Sequence, residues 1–312
     1  MKNIALNGIK ASHIKKKKSY KWVDNRDGYI FILPWLIGFF VFTLIPFISS
    51  FILSLTDYSV MSETEFVGFE NYRMMFFEDD KFWQSLKVTF SYVLITVPIK
   101  MAVALLAAML LNAKRRGIGI YRTAFYLPSL IGGSVAVAVV WKQLFANNGL
   151  INSFLGILGM DPIYWFTDTR FAMWTLICMA VWQFGAPMLI FLSALKQISP
   201  AYYEVARIDG ATAFDRFFKI TLPMITPVLF FNLIMQMIGS FTTFTQSYVV
   251  TEGGPLNSTL FYALYLYRRA FEFFDMGYGS AMAWVLLIII ACFTGFVFKS
   301  SSYWVFYEEK GD

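Results

Sequence analysis

A short polar stretch interrupts an otherwise apolar chain: Glu204-Val205-Ala206-Arg207-Ile208-Asp209-Gly210-Ala211. The preceding Ser199-Pro200 pair is typical of a helix start, with serine as the cap and proline in the first turn. The Asp209-Gly210 pair predicts the end of that helix, because glycine readily adopts the left-handed conformation that closes helices. Thr212 and Asp215 have the spacing of a capping box for a second helix. The sequence therefore predicts two short helices joined by an elbow at Gly210.

Long uncharged segments lie on both sides of this elbow. The chain has 312 residues, of which 58% are hydrophobic and 15% are charged, whereas soluble domains are about 25% charged. A membrane-spanning helix needs about 20 mainly apolar residues. Six segments meet that requirement, namely 28–55, 88–112, 121–143, 171–195, 220–248 and 277–299. We therefore predict an all-α membrane protein with six transmembrane helices.

The basic residues are distributed unevenly around these spans. Of the 26 lysines and arginines, 18 lie in the two tails, at the cytoplasmic end of the last span and in residues 112–122 and 196–219, and seven lie in the alternate loops. Because basic loops stay on the cytoplasmic side, this distribution predicts that both termini are cytoplasmic. The run Lys15-Lys16-Lys17-Lys18 would meet anionic lipid headgroups. The net charge of +6 then reflects membrane orientation, and we expect no nucleic-acid partner.

The predicted organisation has three parts. A lysine-rich cytoplasmic tail covers residues 1–27, a six-span domain covers 28–305 with the polar loop at 196–219, and a second cytoplasmic tail covers 306–312. The outer loops are then 57–87, 142–170 and 252–275. They are too short for separate cores, so we expect short helices or irregular structure in them.

Polar side chains within the predicted spans are functional candidates, because burying them in hydrocarbon is costly. They are Lys100, Gln183, Asn232, Gln236 and Gln246. One hypothesis places them along a substrate path. The alternative for each amide is a hydrogen bond between helices.

Several kinds of chemistry are disfavoured by composition. Two cysteines and one histidine are too few for a zinc cluster or a disulfide framework, so we expect no metal site. The chain has no G-x-x-x-x-G-K-[ST] motif to bind nucleotide phosphates. All 20 aspartates and glutamates lie outside the six predicted spans, and this weakens the alternative of an ion-coupled secondary transporter, which usually has carboxylates within the membrane.

The elbow resembles the coupling loop, or EAA loop, of binding-protein-dependent ABC importer permeases. The family pattern is E-A-A-x-x-D-G-A followed by F-x-x-I-x-L-P-x-x-x-P, and this chain continues with Phe217, Ile220, Leu222-Pro223 and Pro227. Val205 stands where the first alanine is usual. Phe125-Tyr126-Leu127-Pro128 and Thr251-x-Gly253-Gly254-Pro255 are similar to the maltose/oligosaccharide branch. The resemblance covers roughly residues 28–305.

The resemblance implies a type I importer permease without its own ATPase site. Its coupling residues would be Glu204, Ala206, Asp209, Gly210 and Ala211. The implied partners are a second permease subunit, identical or homologous, two cytoplasmic subunits that bind ATP and Mg²⁺, and an extracytoplasmic solute-binding protein. The chain itself would hold no cofactor and would lie in a bacterial cytoplasmic membrane.

The implied substrate is an oligosaccharide. Four cations within the membrane or on the outer side suggest an acidic, uronate-bearing chain as one hypothesis, namely Lys100, Lys142, Arg268 and Arg269. The alternative is that Lys142, Arg268 and Arg269 contact lipid phosphates or the acidic outer loop, and that Lys100 contacts the partner subunit. Two alternatives remain open, a permease of the same machinery for an amino acid or peptide, and an ion-coupled secondary transporter.

Overall fold

The computed structural model describes residues 23–59, 64–113 and 116–306. The lysine-rich run and most of the two predicted tails lie outside these residues. The chain divides into two compact units, Met1–Ser50 and Phe51–Asp312. The described residues form helices and no strand, apart from isolated bridges between Thr56 and Phe66 and between Ser59 and Asp275.

The described helices, in chain order, are α1 (Val23–Phe39), α2 (Ile45–Ser54), α3 (Glu70–Phe77), α4 (Asp80–Leu111), α5 (Ile118–Ile131), α6 (Val135–Leu144), α7 (Leu150–Ile157), α8 (Thr169–Trp182), α9 (Gly185–Gln197), α10 (Pro200–Ile208), α11 (Ala213–Arg216), α12 (Leu222–Phe241), α13 (Tyr262–Tyr267) and α14 (Met276–Trp304). Four π-helical turns extend or join them, at Phe40–Leu44, Phe217–Thr221, Ser247–Thr251 and Arg268–Glu272.

Within the part of the chain that the structure describes, four continuous helical segments are long and apolar enough to cross a membrane. They are Gly28–Ser54, Asp80–Leu111, Ala213–Phe241 and Met276–Trp304. Two bent helix pairs, α5 with α6 and α8 with α9, bring the count to six if each pair is one span. Length and composition therefore agree with an all-α membrane protein, and the short helices α3, α7 and α13 lie in the predicted connecting loops.

The third predicted span, 121–143, contains a sharp break. Its two halves, α5 and α6, meet at an angle of 103°. Gly132 and Gly133 interrupt the helix, and the Ser134 hydroxyl accepts a hydrogen bond from Val137 N (3.3 Å), which begins α6. A serine cap after two glycines is a strong local signal for a new helix.

The fourth predicted span, 171–195, is also broken. Helices α8 and α9 meet at 44°, with Gln183 and Phe184 between them.

The fifth span, predicted as 220–248, ends earlier, because α12 stops at Phe241. Thr242 and Thr243 follow, and their hydroxyls bond to carbonyls of the preceding turn, which competes with helix continuation.

The two helix breaks lie against each other. The Ser129 hydroxyl donates to Gln183 O (3.0 Å) and accepts from Ala186 N (3.0 Å). The Gln183 side-chain amide donates to Gly132 O (3.2 Å). These bonds satisfy backbone groups that the breaks release, as a bundle within a membrane requires.

Helix α4 is central in the second unit and packs against α8, α9 and α12. Its buried face contributes Val97 and Ala104 to a cluster with Phe191 of α9 and Met237 of α12. A second cluster joins α3, the start of α4, α13 and α14 through Tyr262 and other side chains. Since lipid is as apolar as these groups, close packing and interhelical hydrogen bonds hold such a bundle together.

Asp79 ties three segments together beside the second cluster. Its carboxylate caps α4 by accepting from Lys81 N (3.0 Å) and Phe82 N (3.2 Å). It also accepts from the hydroxyls of Tyr265 (2.6 Å) and Tyr278. Burial acts to raise the pKa of Asp79, but the hydrogen bonds from the two tyrosines, with the nearby Arg269, outweigh it and hold the pKa below its usual value.

This network predicts acid sensitivity. A carboxylate whose pKa is lower in the folded state stabilises the fold above its unfolded pKa of about 3.9, and that contribution is lost as the pH falls through the folded pKa. Asp79→Asn should lower the free energy of unfolding by about 1.5–3 kcal/mol at neutral pH, the usual size of a hydrogen bond to a charged group. The difference in melting temperature between wild type and variant, measured in detergent from pH 7 to pH 3, should shrink toward low pH. A difference that does not change with pH would contradict this role.

Candidate functional site

The elbow predicted around Gly210 is confirmed in its geometry. Ser199 caps α10, Pro200 occupies its first turn, and the helix ends at Ile208. Gly210 then adopts a φ of +78°. Its N–H donates to Arg207 O (3.1 Å), and Ala211 N donates to Ala206 O (2.8 Å). This pair of bonds is the Schellman motif, which satisfies the last carbonyls of a helix and favours glycine at the left-handed position.

The second helix of the elbow begins as predicted. The Thr212 hydroxyl accepts from Asp215 N (3.1 Å), and Asp215 Oδ2 accepts from Thr212 N (3.2 Å), so the capping box is complete. Lys219 Nζ lies 2.8 Å from Asp215 Oδ1. The chain then passes through a π-helical turn directly into α12. A movement of the elbow therefore has a continuous helical connection to a candidate membrane span.

The surface of the elbow is apolar at positions where a soluble surface is usually polar. Ile208 is 85% exposed, Phe214 72% and Val205 57%. Beside them is an open concavity of about 350 Å³. Four of the five predicted coupling residues line it, namely Ala206, Asp209, Gly210 and Ala211. Glu204 lies on the exposed part of α10, outside that lining. Exposed apolar side chains on a well-capped element are consistent with a protein-docking surface.

A second feature is a polar cleft of about 160 Å³ inside the bundle. It lies where α4, the break between α8 and α9, and the end of α12 meet. Its lining contains amides, hydroxyls and one ammonium group, contributed by Tyr92, Thr96, Lys100, Ala180, Gln183, Gln236, Gly239, Ser240, Thr243 and Gln246. Lys100, Gln183, Gln236 and Gln246, four of the five residues predicted along a path, thus line one cleft.

The fifth, Asn232, lies elsewhere. Its side chain is fully buried, and its amide donates to Pro187 O of α9 (3.4 Å). This contact matches the alternative of a hydrogen bond between helices. Gln183 has both features, because it lines the cleft and also holds the two helix breaks together.

Sequence reasoning missed Tyr92 and Thr96 as cleft residues. With Lys100 they are spaced four residues apart on α4, so they share one face of the helix. The same spacing relates Gln236 to Ser240 on α12. Polar residues repeated every four positions along an apolar helix were the signal that would have found this face.

The comparisons with known proteins cover almost the whole chain. Residues 80–300 match the family model described as "binding-protein-dependent transport system inner membrane component". A probable ABC transporter permease protein of Bacillus subtilis, YesP, is 52% identical over 308 residues, covering 98% of this chain and 99% of that protein. The lactose transport system permease protein LacF of Rhizobium radiobacter is 36% identical over 284 residues, covering 88% of this chain and 94% of that protein.

A solved structure has the same fold. It is a bacterial alginate ABC transporter in complex with a periplasmic protein that holds an alginate pentasaccharide. The TM-score is 0.78 at 21% identity, and the match covers 89% of this chain and 94% of that one. At this identity the likeness concerns the fold alone. The family model over residues 80–300 and the relatives that match almost the whole chain show the family, and the candidate spans show several membrane crossings. The chain therefore belongs to the family of binding-protein-dependent transport system inner membrane components and is a multi-pass membrane protein.

Proposed function

We propose that this chain is the membrane-spanning subunit of an ATP-driven importer of oligosaccharides. The observation that carries the proposal is the elbow, in which a capped helix pair exposes Val205, Ile208 and Phe214 and continues directly into α12. Such an element is suited to receive a partner and to pass its movement into the bundle. Glu204, Ala206, Asp209, Gly210 and Ala211 are its proposed coupling residues.

The energy source and the other subunits follow from this assignment. ATP and Mg²⁺ would be bound by two cytoplasmic subunits that dock on the elbow, since the chain has no phosphate-binding motif of its own. A second permease subunit, identical or homologous, would complete the path. An extracytoplasmic binding protein would deliver the sugar.

The sugar class is supported by the relatives and by the cleft. Relatives that cover most of this chain are named as permeases for lactose and for arabinooligosaccharides. The cleft offers amides from Gln236 and Gln246 and hydroxyls from Ser240 and Thr243. Both groups donate and accept hydrogen bonds, as sugar hydroxyls do. An amino acid or peptide is the alternative cargo, but a single ammonium group without a lining carboxylate is a poor match for a zwitterion.

A narrower form of the proposal is an acidic oligosaccharide. Three of the four cations behind this narrower form have acidic partners within the protein. The ion pairs are Lys142–Glu252 (2.9 Å), Arg268–Glu272 (3.5 Å) and Arg269–Asp275 (3.4 Å). Those three therefore give no support to an anionic path. Lys100 is the remaining argument for it.

The proposed orientation places both termini and the elbow in the cytoplasm, supported by the distribution of basic residues. Single cysteines at positions 65 and 213 should then react with an impermeant maleimide from opposite sides of the membrane. The experiment needs a background in which Cys178 and Cys292 are replaced by alanine, because both are exposed. Equal labelling of the two positions from outside intact cells would contradict the orientation.

The alternative of an ion-coupled transporter is tested by the source of energy. The assembled importer in proteoliposomes should take up oligosaccharide with ATP and the binding protein, and an ionophore that dissipates proton and sodium gradients should leave uptake unchanged. Uptake that requires an imposed gradient and proceeds without ATP would refute the proposal.

A further inference from the structure

Lys100 is a half-buried cation on α4 and lines the polar cleft. No carboxylate belongs to that lining. Among the described residues, the ion pairs connect other side chains, and none includes Lys100. A charge in such a position is costly unless an anion or strong acceptors compensate it.

A second copy of this chain would offer no compensating anion in its spans. All 20 aspartates and glutamates lie outside the segments predicted to cross the membrane. The compensating group is then the set of amide and hydroxyl oxygens in the lining, a carboxylate of a different permease subunit, or an anion that enters the cleft. The rest of the lining favours an anion carried by a sugar, because the amides and hydroxyls that line the cleft with Lys100 can exchange hydrogen bonds with sugar hydroxyls.

We propose that the cleft is a subsite for an acidic sugar residue and that Lys100 binds its carboxylate. The proposal rests on the proposed function as an oligosaccharide importer. The ring hydroxyls of the sugar would exchange hydrogen bonds with Gln236, Gln246 and Ser240, which donate and accept. The ammonium group acts as a compact point charge with three donors, so it recognises the carboxylate mainly by charge. A neutral sugar would leave that ammonium group without an anionic partner in the cleft.

The test compares the binding of acidic and neutral oligosaccharides to the complete transporter. The binding protein is left out, so that any preference for the acid comes from the membrane subunits. The probes are short oligosaccharides containing galacturonate, glucuronate, mannuronate or guluronate, each paired with its neutral methyl ester. Saturation-transfer NMR titrations are suited to weak binding. At least one acid should bind wild type about tenfold more tightly than its ester, as expected for one charge-assisted hydrogen bond.

Three variants make the assignment specific. Lys100→Gln should abolish the preference for the acid, and Lys100→Arg should retain most of it. Lys142→Gln removes the same charge from a position paired with Glu252, and it should leave the preference unchanged.

Two results would overturn the subsite. One is equal binding of every acid and its ester by wild type, or binding of neither, while ATP-driven uptake of a neutral oligosaccharide proceeds. The other is an acid preference that persists in Lys100→Gln. Failure of ATP-driven uptake for all oligosaccharides would instead refute the importer assignment, so the two failures are distinguishable.

Discussion

Replacing Gly210 with proline should leave the protein in the membrane and abolish transport. Gly210 has a φ of +78°, whereas proline fixes φ near −65°. Proline also removes the N–H that donates to Arg207 O. The turn that directs α10 toward α11 would be lost, and with it the arrangement of the exposed apolar side chains. We expect ATP hydrolysis to fall to the level seen without binding protein, and uptake to become undetectable.

The control for this variant is Gly210→Ala. A Cβ atom at this position meets no atom within 4 Å, so alanine is disfavoured only by the left-handed backbone conformation. That strain costs about 1 kcal/mol, and most transport should remain. Membrane insertion of both variants is checked by the yield of folded protein in detergent. Normal uptake by a folded Gly210→Pro variant would count heavily against a coupling role for the elbow.

Replacing Gly185 with alanine should severely destabilise the bundle. Gly185 begins α9 at the fourth-span break, and a Cβ atom there would lie 2.3 Å from Phe125 O and 2.6 Å from Tyr126 Cα. Both atoms belong to the main chain of α5, so no side-chain movement relieves the clash. Overpacking of this kind costs about 1–3 kcal/mol, and we expect the upper end because backbone must move.

Gly133→Ala is the matched control, since it lies in the other helix break and its Cβ atom would meet nothing within 4 Å. The comparison uses the melting temperature in detergent and the amount of folded protein per cell. Equal melting temperatures for the two variants would show that the close approach of α9 to α5 does not support the fold.

The contrast between the elbow and the helix breaks shows what sequence could predict. The elbow depends on signals within a few residues, namely a Ser199 cap, a glycine at position 210 and the Thr212–Asp215 box, so its helices and turn were predicted correctly. The break at Gly132 depends partly on contact with Gln183, which is 51 residues away. The break also has a local signal, two glycines followed by Ser134, but the segment carries no charge, and its uncharged length alone predicted one span.

The functional features divide in the same way. The charged and amide residues of the cleft could each be predicted as functional candidates, because a charge or amide is rare in an apolar span. Their convergence depends on how α4, α8 and α12 pack, and Asn232 shows that an intramembrane amide can lie outside the cleft. The hydrogen-bond partners of Asp79 could not be predicted from the sequence, because Tyr265 and Tyr278 are 186 and 199 residues away along the chain.

The central claim is that ATP hydrolysis on partner subunits drives import through this chain. Its most direct test is the ATPase rate of the complete transporter in proteoliposomes, measured with no binding protein, with empty binding protein and with oligosaccharide-loaded binding protein. We predict that the loaded binding protein raises the rate severalfold, and that Gly210→Pro removes this stimulation without lowering the unstimulated rate. A rate that is the same in all three conditions, with uptake driven by an ion gradient, would contradict the account.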